Sequence, residues 1–87
     1  MTTLICEVTA GMRESEDTVS VKDYSGKKQF LRVERGYICT EGSQQYLPVG
    51  LVGTDEERGL ALIELPHESD SGVNRLWVRR TDLVMSR

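Results

Sequence analysis

Hydrophobic and polar residues alternate in short runs along most of this chain, and turn-forming residues separate the runs at close spacing. A period of two sends successive side chains to opposite faces of an extended backbone, so each run predicts a strand with one buried face. The first run, LICEVTA, places Leu4, Cys6, Val8 and Ala10 together. After a polar loop from Gly11 to Asp17, the second run turns Val19 and Val21 inward. Asp23-Tyr24-Ser25-Gly26 predicts a tight turn, because Asp accepts hydrogen bonds from the backbone ahead of it and Gly takes positive φ freely. The third run, KQFLRVERG, directs Leu31 and Val33 inward and completes a first hairpin.

A second hairpin is expected from Tyr37-Ile38-Cys39-Thr40, the turn Glu41-Gly42-Ser43 and Gln45-Tyr46-Leu47, with Gly36 marking the break before it. Pro48 has no N–H to give a ladder, which predicts a sheet edge, a bulge or a bend between Leu47 and Val49. Between Gly53 and Gly59, Thr54 is followed three residues later by Glu57, the spacing of a capping box around one helical turn. Leu60 to Leu65 is apolar on both faces apart from Glu64 and reads as the central strand. The polar loop Pro66 to Asn74, the run RLWVRR and a closing segment Thr81 to Val84 complete the chain, with Thr81 placed to cap a short 3-10 turn. No segment has the length of a helix that could cover a parallel sheet. The pattern therefore predicts an all-β fold: a small barrel or strongly bent antiparallel sheet of five to six strands, with at most a short 3-10 turn. Its 87 residues enclose one core, so residues 1–87 form a single domain.

The segment Leu76-Trp77-Val78-Arg79-Arg80-Thr81-Asp82-Leu83 resembles the closing part of SH3-like modules, in which a hydrophobic strand runs into a short turn before the last residues. The resemblance implies a small barrel and covers about a tenth of the chain. Two features depart from a peptide-binding SH3 domain: the start holds no ALYDY-like aromatic segment, and there is no adjacent Trp pair. Binding of proline-rich peptides is therefore not carried over.

A net charge of −3 argues against a nucleic-acid coat or an anionic-membrane binder, since both need a net positive field. Neither a basic apolar leader nor an unbroken apolar span occurs, so a cytoplasmic protein with no membrane segment is expected. Cys6 and Cys39 form no Cys-x-x-Cys pair; both read as small inward hydrophobes kept reduced, with no metal or cofactor implied. The loop PHESDS gathers His67, Glu68, Asp70 and Ser71. Neighbours in one loop rarely converge as a catalytic set, and one His without a cysteine pair makes a poor zinc site. The loop reads as a solvated connection in which Asp70 or Ser71 satisfies local backbone donors. An enzyme using His67 with Glu68 or Asp70 is the least supported function. The acidic clusters Glu14-Ser15-Glu16-Asp17 and Asp55-Glu56-Glu57 read as solvated loop tips.

The RLWVR stretch raises the sharper question, because its alternation puts the only Trp on the side of Arg75 and Arg79. Phe30 and Arg32 share the outward face of the third run. Aromatics interleaved with Arg suit base stacking or the grip of an anionic partner. A neighbouring strand with Ile63 opposite Trp77 would give a cross-strand pair and a second apolar patch. That patch can be covered by the Gly11–Asp17 or Pro66–Asn74 loop, by a second subunit, or by a ligand. The sequence reading is a non-catalytic protein-interaction or oligomerisation module, with a homodimer among its forms, whose surface is Trp77, Arg75, Arg79, Phe30, Arg32 and Ile63. A small nucleic-acid-binding barrel using Phe30 and Trp77 is the alternative.

Overall fold

In a computed structural model, which describes residues 1–10 and 13–85, the chain forms a strongly curled antiparallel half-barrel. Its strands are β1 (Thr2–Ala10), β2 (Glu16–Lys22), β3 (Lys28–Glu34), β4 (Cys39–Glu41), β5 (Gln44–Asp55), β6 (Leu60–Glu64), β7 (Arg75–Arg79) and β8 (Leu83–Met85), with a 3-10 turn at Arg80–Asp82. Six of them run side by side in the order β3-β2-β1-β5-β6-β7, while the three-residue ribbons β4 and β8 attach to β5 and β1. The expected all-β architecture is present, with these two ribbons as an addition.

Alternation places the core as expected. Leu4 and Cys6 from β1, Val19 and Val21 from β2, and Leu31 and Val33 from β3 are buried against Leu47, Ala61, Ile63, Leu65, Leu76 and Val78 from the other half. Val8 packs on the rim of that cluster. The inward expectation for Ala10, and the loop residues Gly11 and Met12, lie outside what is described. Strand β2 starts at Glu16, so the acidic pair Glu16 and Asp17 belongs to a strand and not to the loop.

The first hairpin turn follows its chemistry. Asp23 Oδ1 accepts bonds from the Ser25 N–H (2.9 Å), the Ser25 hydroxyl (2.6 Å) and the Lys27 N–H (3.0 Å), and Gly26 takes φ +85°. Leu47, Pro48 and Val49 pair with β1 alone, after β4 has ended and before β6 begins, so Pro48 sits where one side of β5 has no neighbouring strand. A register shift between Leu51 and Gly53 leaves Val52 as an extra residue in β5, a bulge that bends the strand.

Four expectations are corrected. Cys39 is exposed, because β4 pairs it with Tyr46, which in turn faces the outward-pointing Ile5. The Gly53–Gly59 segment holds no helical turn: β5 continues to Asp55, the Asp55 carboxylate accepts the Arg58 N–H (3.2 Å), and Gly59 at φ +66° closes a hairpin instead. Strand β6 is one in from the edge, and β1 and β5 hold the middle. The 3-10 turn forms, yet Arg79 occupies its N-cap position with no side-chain cap bond, and Thr81 lies inside it.

Candidate functional site

The curl divides the sheet into two wings, β1–β2–β3 and β5–β6–β7, whose inner faces share the core. Directly paired residues share a face, so the register of the second wing defines its outer surface row by row. Glu64 pairs with Gly50 on one side and Arg75 on the other; Leu62 lies between Gly53 and Trp77; Leu60 lies between Asp55 and Arg79. The β7 lane is thus Arg75, Trp77 and Arg79, and the β5 lane carries two glycines and a carboxylate.

Trp77 retains 39% of its surface exposed, in contact range of Leu62 across the strand pair. Gly53, at the far end of the same row, leaves a gap: a Cβ there would meet nothing within 4 Å. Arg75 Nε reaches Glu64 Oε2 at 3.0 Å and Arg80 reaches Glu56 at 2.9 Å, so ion pairs frame the apolar row. Val52, thrust out by the bulge, adds an exposed aliphatic beside it.

Ile63, expected beside Trp77, is fully buried and pairs with Leu76 in the core. A slip of one residue in the assumed register exchanges the faces, and Leu62 is the true neighbour of Trp77. Phe30 (45% exposed) and Arg32 point outward as expected, but on β3, at the opposite end of the sheet order from β7. Arg32 is held by Asp70 at 3.1 Å. Two backbone bonds cross the seam between the wings, each from a loop to an end strand: the Tyr24 N–H in the β2–β3 turn donates to the Trp77 carbonyl (2.8 Å), and the Asp70 N–H in the β6–β7 loop donates to the Phe30 carbonyl (2.7 Å). Trp77, Arg75 and Arg79 therefore lie on one side of the seam and Phe30 and Arg32 on the other.

The PHESDS loop is a strap and not a free connection. Gln29, on the inward face of β3 and only 6% exposed, accepts the Ser69 and Ser71 hydroxyls at 3.1 and 2.7 Å. Ser69 Oγ also accepts the Val73 N–H (3.1 Å). Ser69, not Asp70 or Ser71, thus satisfies the local backbone donor. His67 and Glu68 are exposed while Asp70 is engaged by Arg32, and among the described residues no group of three or more His, Cys, Asp or Glu is arranged to hold a metal. Sequence reasoning missed Gln29 because nothing local links it to serines 40 residues later. Its polar side chain at an inward position of KQFLRVE was the one available signal.

A hollow of about 330 Å³ lies where β1 changes partners, lined by Ile5, Cys6, Glu7, Lys22 and Asp82 among others. Burial, with a smaller contribution from Cys39, pushes the Cys6 thiol up to about 11, so it stays protonated and unreactive at neutral pH. Both cysteines are free. Burial alone would raise the Asp23 carboxyl, but the bonds from Ser25 and Lys27 and the Lys27 charge bring it below its ordinary value. Among the described residues no helix is long and apolar enough to cross a membrane. Comparison with protein-family models, with curated proteins and with solved structures finds no match to this chain.

Proposed function

We propose that this chain is a protein-interaction module whose contact surface is the outer face of β5, β6 and β7. The observation that carries the reading is the Gly53–Leu62–Trp77 row, an apolar strip that ends in a partly exposed Trp on the edge strand and is framed by ion pairs. Such an arrangement fits the anatomy of interfaces, where an aromatic anchor is surrounded by a polar rim that excludes water. The SH3-like closing segment is consistent with a binding module but brings no ligand with it.

The nucleic-acid alternative is less favoured. Arg75 and Arg32 are already paired with carboxylates, and the net charge is −3. Phosphate would have to displace those partners against an unfavourable overall field.

Oxidative footprinting tests the reading. Trace protein is labelled in dilute buffer and in an extract of the cells that express it, and the modification of Trp77 is compared with that of Phe30. Selective protection of Trp77 in the extract is expected, and it should persist after nuclease treatment. Equal labelling of Trp77 in both media would overturn the assignment, and protection lost with nuclease would move it to nucleic acid.

A further inference from the structure

Strand β1 changes partners along one of its sides, and the change leaves a break in the ladder. It pairs with β8 from Thr2 to Leu4 and with β2 from Glu7 onward, so Ile5 and Cys6 have no strand beside them there, although β5 pairs both on the other side. Alternation decides which peptide faces the break. The Phe30 carbonyl bonds Asp70 and so points away from β2, which turns the N–H and C=O of its partner Ser20 toward Glu7. Ile5, two residues back from Glu7, turns its own N–H and C=O the same way, into the break. A ladder extended past Glu7 and Ser20 would bring Lys22 opposite Ile5, and one extended past Leu4 and Leu83 would bring Asp82 there. Both pairings stop short. The hollow of about 330 Å³ lies between them, with Ile5 and the buried Cys6 in its wall and Glu7, Lys22 and Asp82 around it.

The charged groups around the hollow are free to meet a ligand. Glu7, Lys22 and Asp82 form no ion pair or side-chain hydrogen bond with another described residue, whereas Arg32, Arg75 and Arg80 are each paired. Together they present two carboxylates and one ammonium beside a peptide group whose donor and acceptor are both open. We propose that this hollow binds a free basic α-amino acid, whose carboxylate meets Lys22 and the Ile5 N–H and whose two cationic groups meet Glu7, Asp82 and the Ile5 C=O. The site is built from β1, β2 and the 3-10 turn and is independent of the role of the β5–β6–β7 face as a contact surface.

Charge selects this class of ligand. A simple anion faces two carboxylates, and a diamine sets its own charge against the Lys22 ammonium. A neutral apolar molecule leaves all three charges and the Ile5 peptide without new partners. One carboxylate and two cations on a single small molecule give each group a counterpart. The volume lies at the lower end of small-ligand sites, which start at about 300 Å³, and so suits a molecule of amino-acid size. Glu7 and Lys22 are exposed, so water screens their contacts and a Kd on the order of 1 mM is expected.

Titration with L-lysine and L-arginine, followed by amide NMR of the isotope-labelled protein at fixed ionic strength, tests the assignment. Saturable shifts should centre on Ile5, Glu7, Lys22 and Asp82. Lysinamide, which lacks the carboxylate, should bind about ten-fold more weakly than L-lysine, and Lys22→Met should weaken L-lysine by a similar factor without weakening lysinamide. Asp82→Asn should weaken both, and Glu57→Gln, on the β5–β6 turn, should weaken neither. Absence of a saturable shift with either amino acid up to about 50 mM overturns the proposal. Equal binding of L-lysine and lysinamide by the wild type overturns it too, as do shifts spread evenly to Glu56 and Glu57, the mark of a general surface cation effect. Should a variant lose its fold by circular dichroism, the comparison of L-lysine with lysinamide on the wild type decides alone.

Discussion

The two wings bury similar inner faces and present different outer ones. In β1–β2–β3 the outward rows read Glu7–Ser20–Phe30, Thr9–Thr18–Arg32 and Glu16–Glu34, so a single aromatic stands among polar neighbours. In β5–β6–β7 the corresponding rows hold Trp77 beside Leu62 and Arg79 beside Leu60, with glycines thinning the adjoining lane. A lone exposed aromatic is ordinary on a soluble protein, whereas an aromatic with an aliphatic neighbour and an open slot in the same row has the shape of a contact. The lesson is that exposure alone does not mark a site; Phe30 is more exposed than Trp77 and less supported.

The comparison can be broken most forcefully from the inside. Leu31→Ala in one wing and Ile63→Ala in the other each leave a cavity at a fully buried position, and each should cost about 3 kcal/mol in urea unfolding. A much smaller cost for either would mean that its wing packs loosely and that the shared core is not one unit.

The strap comes next. Removing the Gln29 acceptor in Gln29→Ala takes away the acceptor that Ser69 and Ser71 share, leaving the two hydroxyls only each other at 3.0 Å, and should cost about 1 kcal/mol. Amide exchange of Ser69 and Asp70 should accelerate while the β6–β7 amides keep their protection. Acceleration throughout both wings would show that the seam and not the strap controls local opening.

A comparable effect is expected at the first turn. Asp23→Ala should cost about 1 kcal/mol at neutral pH through loss of its turn bonds. Because the native carboxyl is held below its ordinary value, its contribution is complete above the unfolded-state value and is lost as pH falls through the native one. The stability gap between wild type and variant should therefore close in strongly acidic solution, as followed by thermal melts across pH. The smallest stability effects belong to the outer faces. Phe30→Ser and Trp77→Ser should each change stability by about 1 kcal/mol or less, and only Trp77→Ser should alter association.

Much of the inner face was legible because a period of two is a local property. Leu4, Cys6, Val19, Val21, Leu31 and Val33 follow from alternation within single runs. What a strand faces across the ladder is not local. The placement of Ile63 against Trp77 failed because the β6–β7 register depends on how the long loop between the two strands closes, and a shift of one residue inverts the assignment. Cys39 failed for a related reason: three residues of β4 carry too little pattern to fix a face, and pairing with Tyr46 fixes it instead. Thr54 and Glu57 carry the letters of a capping box, yet the ladder with β6 holds Thr54 and Asp55 extended opposite Ala61 and Leu60. On the candidate surface, Trp77, Arg75 and Arg79 could be read from one run, while Leu62 and Gly53 needed the ladder to bring them alongside.

The seam has one further consequence, for solubility. The end strands β3 and β7 are where an open sheet would expose a row of unpaired amides and recruit strands from other molecules. Here the β2–β3 turn covers the β7 edge through the Tyr24 N–H on the Trp77 carbonyl, and the β6–β7 loop covers the β3 edge through the Asp70 N–H on the Phe30 carbonyl. Each end of the sheet thus guards the other against edge-to-edge aggregation, without a full ladder between them.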